Sequence, residues 1–343
     1  MRYLIFLFLL INVQLHCQQI APIQSTFNNK IVSDSLKNYS FIVSGHFYGG
    51  RSNKTGYPIN TVLANLDWIN ESNTDFIVVL GDLFMDVSEN IPKYQKSFFN
   101  KLEKPLFNSV GNHDLTGDIY QSNFGKTFYY FIVNNDVHVI LDTEKDNGDI
   151  ASDQLAMLNE IKTLVQANVK ISNVFIYGHR TLWARSYSEL DHLFNDNTQS
   201  KFGNNYESEV LPILKEIGGG KSKVFWYSGS LGPAPASFFH YSDDNITYIA
   251  TAIRGLPRDA VLVVHVENGE VTFETKSFTA QKVLDFNEYD LNYWTDNSDK
   301  KEPFNFRLLP LYMQQMFFHI YFWIGLVSGL FIIVLALWFK RKR

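Results

Sequence analysis

The chain has 343 residues, of which 45% are hydrophobic and 15% aromatic, so we expect a sizeable folded core rather than a disordered chain. Its net charge is -5, and because Arg2 and residues 340–343 are basic, the remainder is more acidic still. An acidic body argues against nucleic-acid polymers as partners, since these are bound through a broad basic surface. The one cysteine, Cys17, leaves no disulfide to stabilise the fold.

Residues 1–17 are predicted to be a secretory signal peptide. Met1 and Arg2 precede an apolar run from Tyr3 to Val13, which a polar stretch follows. This run is too short to cross a bilayer, which takes about 20 residues. We expect cleavage after Cys17 and an N-terminal segment over residues 18–40. Lipidation of Cys17 is the alternative, disfavoured because His16 is larger than the residue such sites usually carry.

The body alternates short apolar runs with segments of helical spacing, which predicts an α/β fold. The predicted helices cover residues 60–69, 93–102 and 152–164, and the predicted strands cover 41–43, 76–80, 106–110, 137–141, 174–177, 224–227, 247–250 and 261–266. Several strands end in a polar residue. Ligands of open α/β sheets bind at such strand ends. We therefore expect five of these polar residues to meet in one crevice: His46, Asp82, Asn112, His113 and His179.

The C-terminal part predicts a membrane anchor. Residues 281–319 are polar enough for a stalk, and residues 320–339 form an uncharged apolar run as long as one bilayer crossing. The basic tail at 340–343 favours the cytoplasmic side, which gives a single-pass type I topology. Gly325 and Gly329 form a small-residue pair that offers weak support for a homodimer. The domain then faces a bacterial periplasm, the preferred interpretation, or the lumen of the eukaryotic secretory pathway.

The strongest local motif is Gly-Asn-His-Asp at residues 111–114, preceded by Gly-Asp at 81–82. With these motifs the sequence resembles the calcineurin-like metallophosphoesterases over residues 41–280. The resemblance implies a two-sheet α/β sandwich with flanking helices. It also implies a centre of divalent metal ions that hydrolyses phosphate mono- or diesters.

The resemblance assigns a role to each strand-end residue. Asp82 would bridge two metals, His46 would bind the first, and Asn112 and His179 would bind the second. His113 would protonate the leaving oxygen, oriented by Asp114. The two arginines that could hold a phosphate oxygen are Arg180 and Arg254.

The chain departs from the family pattern at three ligand positions. Ser44 stands where the family has an aspartate, and Ser230 and Gly232 stand where it has two histidines. We therefore expect one or two divalent ions, with manganese, iron and zinc equally suited to mixed nitrogen and oxygen ligands. The nearest residues that could replace the lost ligands are His240, Asp243 and Asp244.

Two functions remain open at this point. The first is an exported, membrane-anchored hydrolase of small-molecule or lipid phosphoesters. The second is a catalytically inactive protein of the same fold that binds a ligand or acts as a scaffold. The intact tetrad at 111–114 favours the hydrolase, whereas the three departures favour the inactive protein. A surface adhesion protein, a third option, has no need for a polar cluster of this kind.

Overall fold

The computed structural model describes residues 23–33, 36–50, 52–191, 193–194, 204–232, 234–298, 313, 317 and 320–341. The chain divides into two compact units, Met1–Thr295 and Asp296–Arg343.

The strands of the first unit form two mixed sheets. The five-stranded sheet has the order β11-β10-β1-β2-β3, and the six-stranded sheet has the order β4-β5-β6-β7-β9-β8. The strands are β1 Tyr39–Ser44, β2 Phe76–Val79, β3 Leu106–Asn108, β4 Tyr129–Val133, β5 Asp136–Ile140, β6 Asn173–Gly178, β7 Lys223–Ser228, β8 Phe238–Asp243, β9 Ile246–Thr251, β10 Ala260–Glu267 and β11 Glu270–Ser277.

Helices flank the two sheets. The α-helices are α1 Asn60–Ala64, α2 Leu66–Glu71, α3 Val87–Tyr94, α4 Ile119–Phe124, α5 Ser152–Ala167, α6 Ser188–Asp191, α7 Leu211–Gly218, α8 Leu291–Asn297 and, in the second unit, α9 Ile320–Arg341. The π-helical turns are Gln95–Phe99 and Tyr206–Val210, and the 3₁₀ turns are Lys145–Gly148, Leu182–Ser186 and Phe286–Glu288.

Parallel pairing at the centre of each sheet fixes where the strand ends meet. The β1–β2 and β2–β3 pairs are parallel, as are the β5–β6, β6–β7 and β7–β9 pairs. These central strands are apolar and buried on both faces, as expected of parallel strands covered on both sides. Their carboxyl ends therefore lie together at one edge of each sheet, which is where the polar residues follow them.

Three apolar clusters hold these layers together. The first lies between the two sheets and includes Phe41, Phe76 and Tyr227. A second packs helices α5 and α7 on the six-stranded sheet, and a third packs α1 to α4 on the five-stranded sheet. The expected two-sheet α/β sandwich with flanking helices is thus confirmed.

A buried polar chain crosses the interior between the sheets. The hydroxyl of Tyr39, on β1, lies 3.0 Å from Nε2 of His138, on β5, and donates to Asp136 at 2.9 Å. His138 Nδ1 lies 2.9 Å from the hydroxyl of Tyr177. Burial lowers the pKa of His138 from 6.5 to about 3, so this imidazole is neutral in the fold. His138 consequently joins the two sheets and plays a structural role.

Several sequence-predicted elements differ from those in the structure. Asn65 divides the predicted helix 60–69 into α1 and α2, and bonds its side-chain amide to the Phe278 carbonyl at 3.0 Å. In place of the predicted helix 93–102, the structure has the last two residues of α3 and then the π-helical turn Gln95–Phe99. Strands β4 and β8, at the two edges of the six-stranded sheet, were not predicted: β8 has a polar second half, whereas β4 is an apolar run that the sequence analysis missed.

The stalk predicted over residues 281–319 is wrong for its first part. Residues 281–295 belong to the compact first unit. Trp294 is 1% exposed, and its indole N–H donates to the Phe238 carbonyl at 2.7 Å. Phe286 and Tyr289 are also buried against β8 and β11. The burial of these three aromatic rings outweighs the polar character of the segment as a whole.

The second unit contains one helix that is long and apolar enough to span a membrane. This span covers Phe322–Arg341 within α9, close to the predicted 320–339. The predicted signal peptide, residues 1–17, lies outside the described residues, as does most of the predicted stalk beyond residue 298.

Candidate metal centre

Three buried side chains meet at the strand ends. His46 follows β1, Asp82 follows β2 and His179 follows β6, and their ligand atoms all lie within 4.8 Å of one another. His46 Nδ1 is 3.3 Å from Asp82 Oδ2, and His179 Nε2 is 3.7 Å from Asp82 Oδ1. The predicted convergence on one crevice therefore holds for these three residues.

The backbone at two of these residues is strained. His46 has a φ of 58° and Asp82 a φ of 53°, a left-handed conformation that is unusual for residues other than glycine. Such strain costs about 1–3 kcal/mol each and typically persists at functional sites. Both side chains are turned by this conformation toward the same small volume.

The hydrogen bonds of His179 determine its tautomer. Its Nδ1 lies 2.8 Å from the Leu80 carbonyl, which can only accept, so Nδ1 carries the proton. In the neutral imidazole, the form that binds metals, the lone pair of Nε2 then faces the Asp82 carboxylate. A lone pair facing a carboxylate is repulsive unless a cation lies between them, so this pair fits a metal ion.

His46 also has the features of a metal ligand. Within the described residues, neither of its ring nitrogens makes a hydrogen bond, although the side chain is buried. Burial lowers the pKa of His46 well below its usual value, and the charges of Arg254, His179 and His113 lower it further. A neutral imidazole with unsatisfied nitrogens is the form that binds metals. The donor set thus fits a divalent ion.

His113 lies next to this trio. Its backbone N–H donates to Asp82 Oδ1 at 3.2 Å, and its ring is 5.1 Å from the ring of Tyr48. Its Nδ1 donates to the Met85 carbonyl at 2.9 Å, so Nε2 is the ring nitrogen that this bond does not use. Asn112 is exposed on the same turn.

Asp114 does not orient the His113 ring, contrary to the expectation from the sequence. Its carboxylate accepts from the backbone N–H groups of Phe84 and Gly111, both at 2.9 Å, and from the amide of Asn108 at 3.3 Å. Burial, and then the charge of Asp82, raise its pKa to about 6. Asp114 therefore fastens the turn at 111–114 to the loop after β2, and the Met85 carbonyl is what holds the imidazole of His113.

The two arginines differ in their partners. The guanidinium of Arg180 forms a bidentate pair with Glu144, with nitrogen–oxygen distances of 3.1 and 2.8 Å. This pairing occupies the guanidinium N–H groups that a phosphate would need, so the expectation that Arg180 binds phosphate is not supported. Arg254 follows β9, beside the loop that carries His46, and its guanidinium has no hydrogen bond or ion pair among the described residues.

The positions of the lost ligands remain beside the centre. The backbone N–H groups of Gly229 and Ser230 donate to the His179 carbonyl at 3.0 and 2.8 Å. A Cβ at Gly229 would lie 1.9 Å from the Leu80 oxygen, so only glycine fits there. Ser44 is buried, and its hydroxyl has no hydrogen-bond partner among the described residues. Gly232 has no side chain to offer.

The suggested replacement ligands lie elsewhere. His240 and Asp243 are on the edge strand β8, where His240 Nε2 contacts the Asn287 carbonyl at 3.1 Å and Asp243 accepts from the Tyr187 hydroxyl at 2.9 Å. Asp244 is in the turn between β8 and β9. This hairpin is at the far edge of the six-stranded sheet from β5.

Sequence reasoning missed two residues of the site region. Tyr48 is buried between the rings of His46 and His113, with ring centres 5.6 and 5.1 Å away. Its position two residues after His46 was the available signal. Glu144, the partner of Arg180, gave no signal, because no local pattern marks a partner 36 residues away in sequence.

An open cleft begins at Leu115, directly after the turn at 111–114. Its volume is about 740 Å³, and among the residues that line it are Gln121, Lys126, Phe128 and Lys145.

Comparisons with known proteins concern the family and the fold. The model of the calcineurin-like phosphoesterase family matches residues 55–228. A dimetal phosphatase from Danio rerio has a similar structure, with a TM-score of 0.50 at 11% identity over 72% of this chain and 99% of that one. A purple acid phosphatase from yellow lupin (Lupinus luteus) seeds gives a TM-score of 0.46 at 10% identity over 77% of this chain and 54% of that one. No curated protein sequence matches the chain.

Proposed function

Because the chain belongs to the calcineurin-like phosphoesterase family, we propose that it is a metal-dependent hydrolase of phosphoric esters with a reduced ligand set. The observation that carries this proposal is the buried trio of His46, Asp82 and His179, whose ligand atoms lie within 4.8 Å of one another, with both ring nitrogens of His46 lacking a hydrogen bond among the described residues. Three protein ligands suffice for a catalytic metal ion. The trio combines residues that the family resemblance assigns to two separate ions.

Each residue of the site has a proposed role in the reaction. A divalent metal held by Asp82 and the two imidazoles would supply a Lewis acid for a phosphoryl oxygen and would activate the water that attacks phosphorus. His113, held at Nδ1 by the Met85 carbonyl, would give a proton from Nε2 of its imidazolium form to the leaving oxygen. Asn112, exposed on the same turn, would offer its amide oxygen to a metal ion, as the family resemblance implies.

Metal content is the first measurement to make. We expect about one manganese, iron or zinc ion per purified chain, and loss of that ion in Asp82→Ala. Asp67→Ala is a matched control, because Asp67 is an exposed carboxylate on α2. A chain that takes up no metal after loading with each of the three ions contradicts the hydrolase.

The loss of three ligand positions favours a second candidate function. Ser44, Ser230 and Gly232 supply no charged or imidazole ligand, so a catalytically inactive protein that binds a ligand or acts as a scaffold would carry these same residues. Hydrolysis of a panel of phosphate mono- and diesters by the metal-loaded chain separates the two. Metal binding without turnover of any ester would favour the inactive protein.

The proposed location is a membrane with the domain on the extracytoplasmic side. The apolar helix within α9 supports an anchor, and the basic residues at 340–343 support a cytoplasmic tail. A cleaved signal peptide at residues 1–17 completes a type I topology. Protease added to bacterial spheroplasts should digest an epitope fused after residue 18 and spare one fused after residue 343, and protease added to sealed microsomes should give the reverse.

A further inference from the structure

The backbone of Arg254 is fixed beside the proposed metal centre. Ala252, which follows β9, forms a parallel bridge with Gly45, and the N–H of Ile253 donates to the Gly45 carbonyl at 3.0 Å. The carboxylate of Asp259 then accepts from the N–H of Arg254 at 3.0 Å and from that of Gly255 at 2.9 Å. Arg254 is thereby held next to the loop that begins with His46.

The side chain of Arg254 is partly desolvated, and among the described residues it makes no hydrogen bond or ion pair. It is half-buried, and burial is the main cause that lowers its pKa. Tyr48, Asp82 and Asp259 raise its pKa and the charge of Arg258 lowers it, while the charge of Arg254 itself lowers the pKa of His46. A partly desolvated guanidinium without hydrogen bonds is destabilising unless an anion binds it.

The charge of the centre also calls for another cation. The three departures at Ser44, Ser230 and Gly232 leave ligands for fewer ions than the family pattern provides. A terminal phosphoryl group carries up to two negative charges, which one divalent ion beside the Asp82 carboxylate only partly balances. A guanidinium can supply the missing charge and can bind two oxygens with its planar fork.

We propose that Arg254 is the second cation of the site and binds two nonbridging oxygens of a terminal phosphoryl group, so that the enzyme prefers phosphate monoesters to diesters. The third nonbridging oxygen then faces the trio of His46, Asp82 and His179. A diester has only two nonbridging oxygens and cannot satisfy both partners in this way. This inference rests on the proposed hydrolase function for its preference, but its binding step can be measured separately.

The test uses the full chain in detergent, loaded with manganese, and inorganic phosphate as the probe. Calorimetry on the wild type should show phosphate binding, and Arg254→Gln should bind phosphate at least about tenfold more weakly. Arg258→Gln is the matched control, since it removes the same charge four residues away, where the guanidinium donates to the Ser237 hydroxyl. Metal content is measured on each sample to show that the centre is intact.

A second variant keeps the test decisive if Arg254→Gln loses its metal. Arg254→Lys retains the charge but not the fork, and it should lower the ratio of kcat/KM for p-nitrophenyl phosphate to that for bis(p-nitrophenyl) phosphate. Phosphate binding that is equal in wild type and Arg254→Gln overturns the proposal, as does a wild type that binds no phosphate. If phosphate binding depends on Arg254 but no ester is hydrolysed, the hydrolase function fails and the anion site stands.

Discussion

The Nε2 atom of His179 lies 3.7 Å from the carboxylate of Asp82, and its Nδ1 atom donates to the Leu80 carbonyl. The backbone rather than solvent therefore fixes the imidazole, with Nε2 turned toward the carboxylate. This arrangement depends on Gly81, the residue between the acceptor and Asp82.

Replacing Gly81 with alanine should therefore disrupt the metal centre. Gly81 has a φ of 79°, and a Cβ there would lie 2.6 Å from His179 Nδ1. We expect Gly81→Ala to lose metal and to lower the free energy of unfolding by about 1–3 kcal/mol. Gly125→Ala is the matched control, because its φ is 85° but nothing lies within 4 Å of the added Cβ. Equal metal content in the two variants would contradict the predicted role of Gly81.

Substitution of His113 should slow chemistry without removing the metal. Because its ring is the proposed proton donor, His113→Gln should reduce kcat by about 10²–10⁴-fold on an alkyl phosphate. The loss should be much smaller on p-nitrophenyl phosphate, whose leaving group departs without protonation. Steady-state kinetics on both substrates, with metal analysis, test this. An equal loss on both substrates would argue against a proton donor.

Asp114→Asn should destabilise the fold, since Asp114 is an acceptor for backbone groups. The variant places an amide donor near the N–H groups of Phe84 and Gly111 and leaves at least one of them unsatisfied. The expected cost is about 1–3 kcal/mol, visible as a lower Tm in thermal unfolding. If Asp114 instead acted by orienting His113, kcat would fall while Tm stayed unchanged.

Acid should weaken the junction between the two sheets through His138. Its pKa falls from 6.5 to about 3 on folding, so the unfolded chain binds a proton that the folded chain rejects. The contribution to stability is fully present above pH 6.5 and is lost as pH falls toward 3, by about 1.4 kcal/mol per pH unit. Urea unfolding at pH 7, 6 and 5 should show a steeper decline for the wild type than for His138→Gln. Parallel declines would contradict this.

How far the sequence predicts the site depends on what holds each residue. His46, Asp82 and His179 follow apolar strands, so strand-end logic and the family motif both find them. The partners of Asp114 are backbone N–H groups of a distant loop, which no side-chain pattern encodes. The pairing of Arg180 with Glu144 arises from two loops that meet only in the folded chain.

The same reasoning explains the errors in the fold. Central strands such as β2 bury both faces and read as continuous apolar runs. Edge strand β8 has the sequence Phe-Phe-His-Tyr-Ser-Asp, whose polar second half interrupts the apolar run by which a strand is recognised. Trp294 lies in a polar segment, and its burial becomes evident only when β8 is placed beneath it.

The order of strands in the five-stranded sheet has a consequence for how the protein is made. β1 pairs on one side with β2, but on the other side with β10, so that Tyr39 lies opposite Val266. A chain still being synthesised must wait for more than two hundred residues before that edge of β1 can close. During this time β1 exposes an unpaired apolar edge, which is a template for aggregation. Folding of the sheet is thus completed only late in translation, when the end of the domain has emerged.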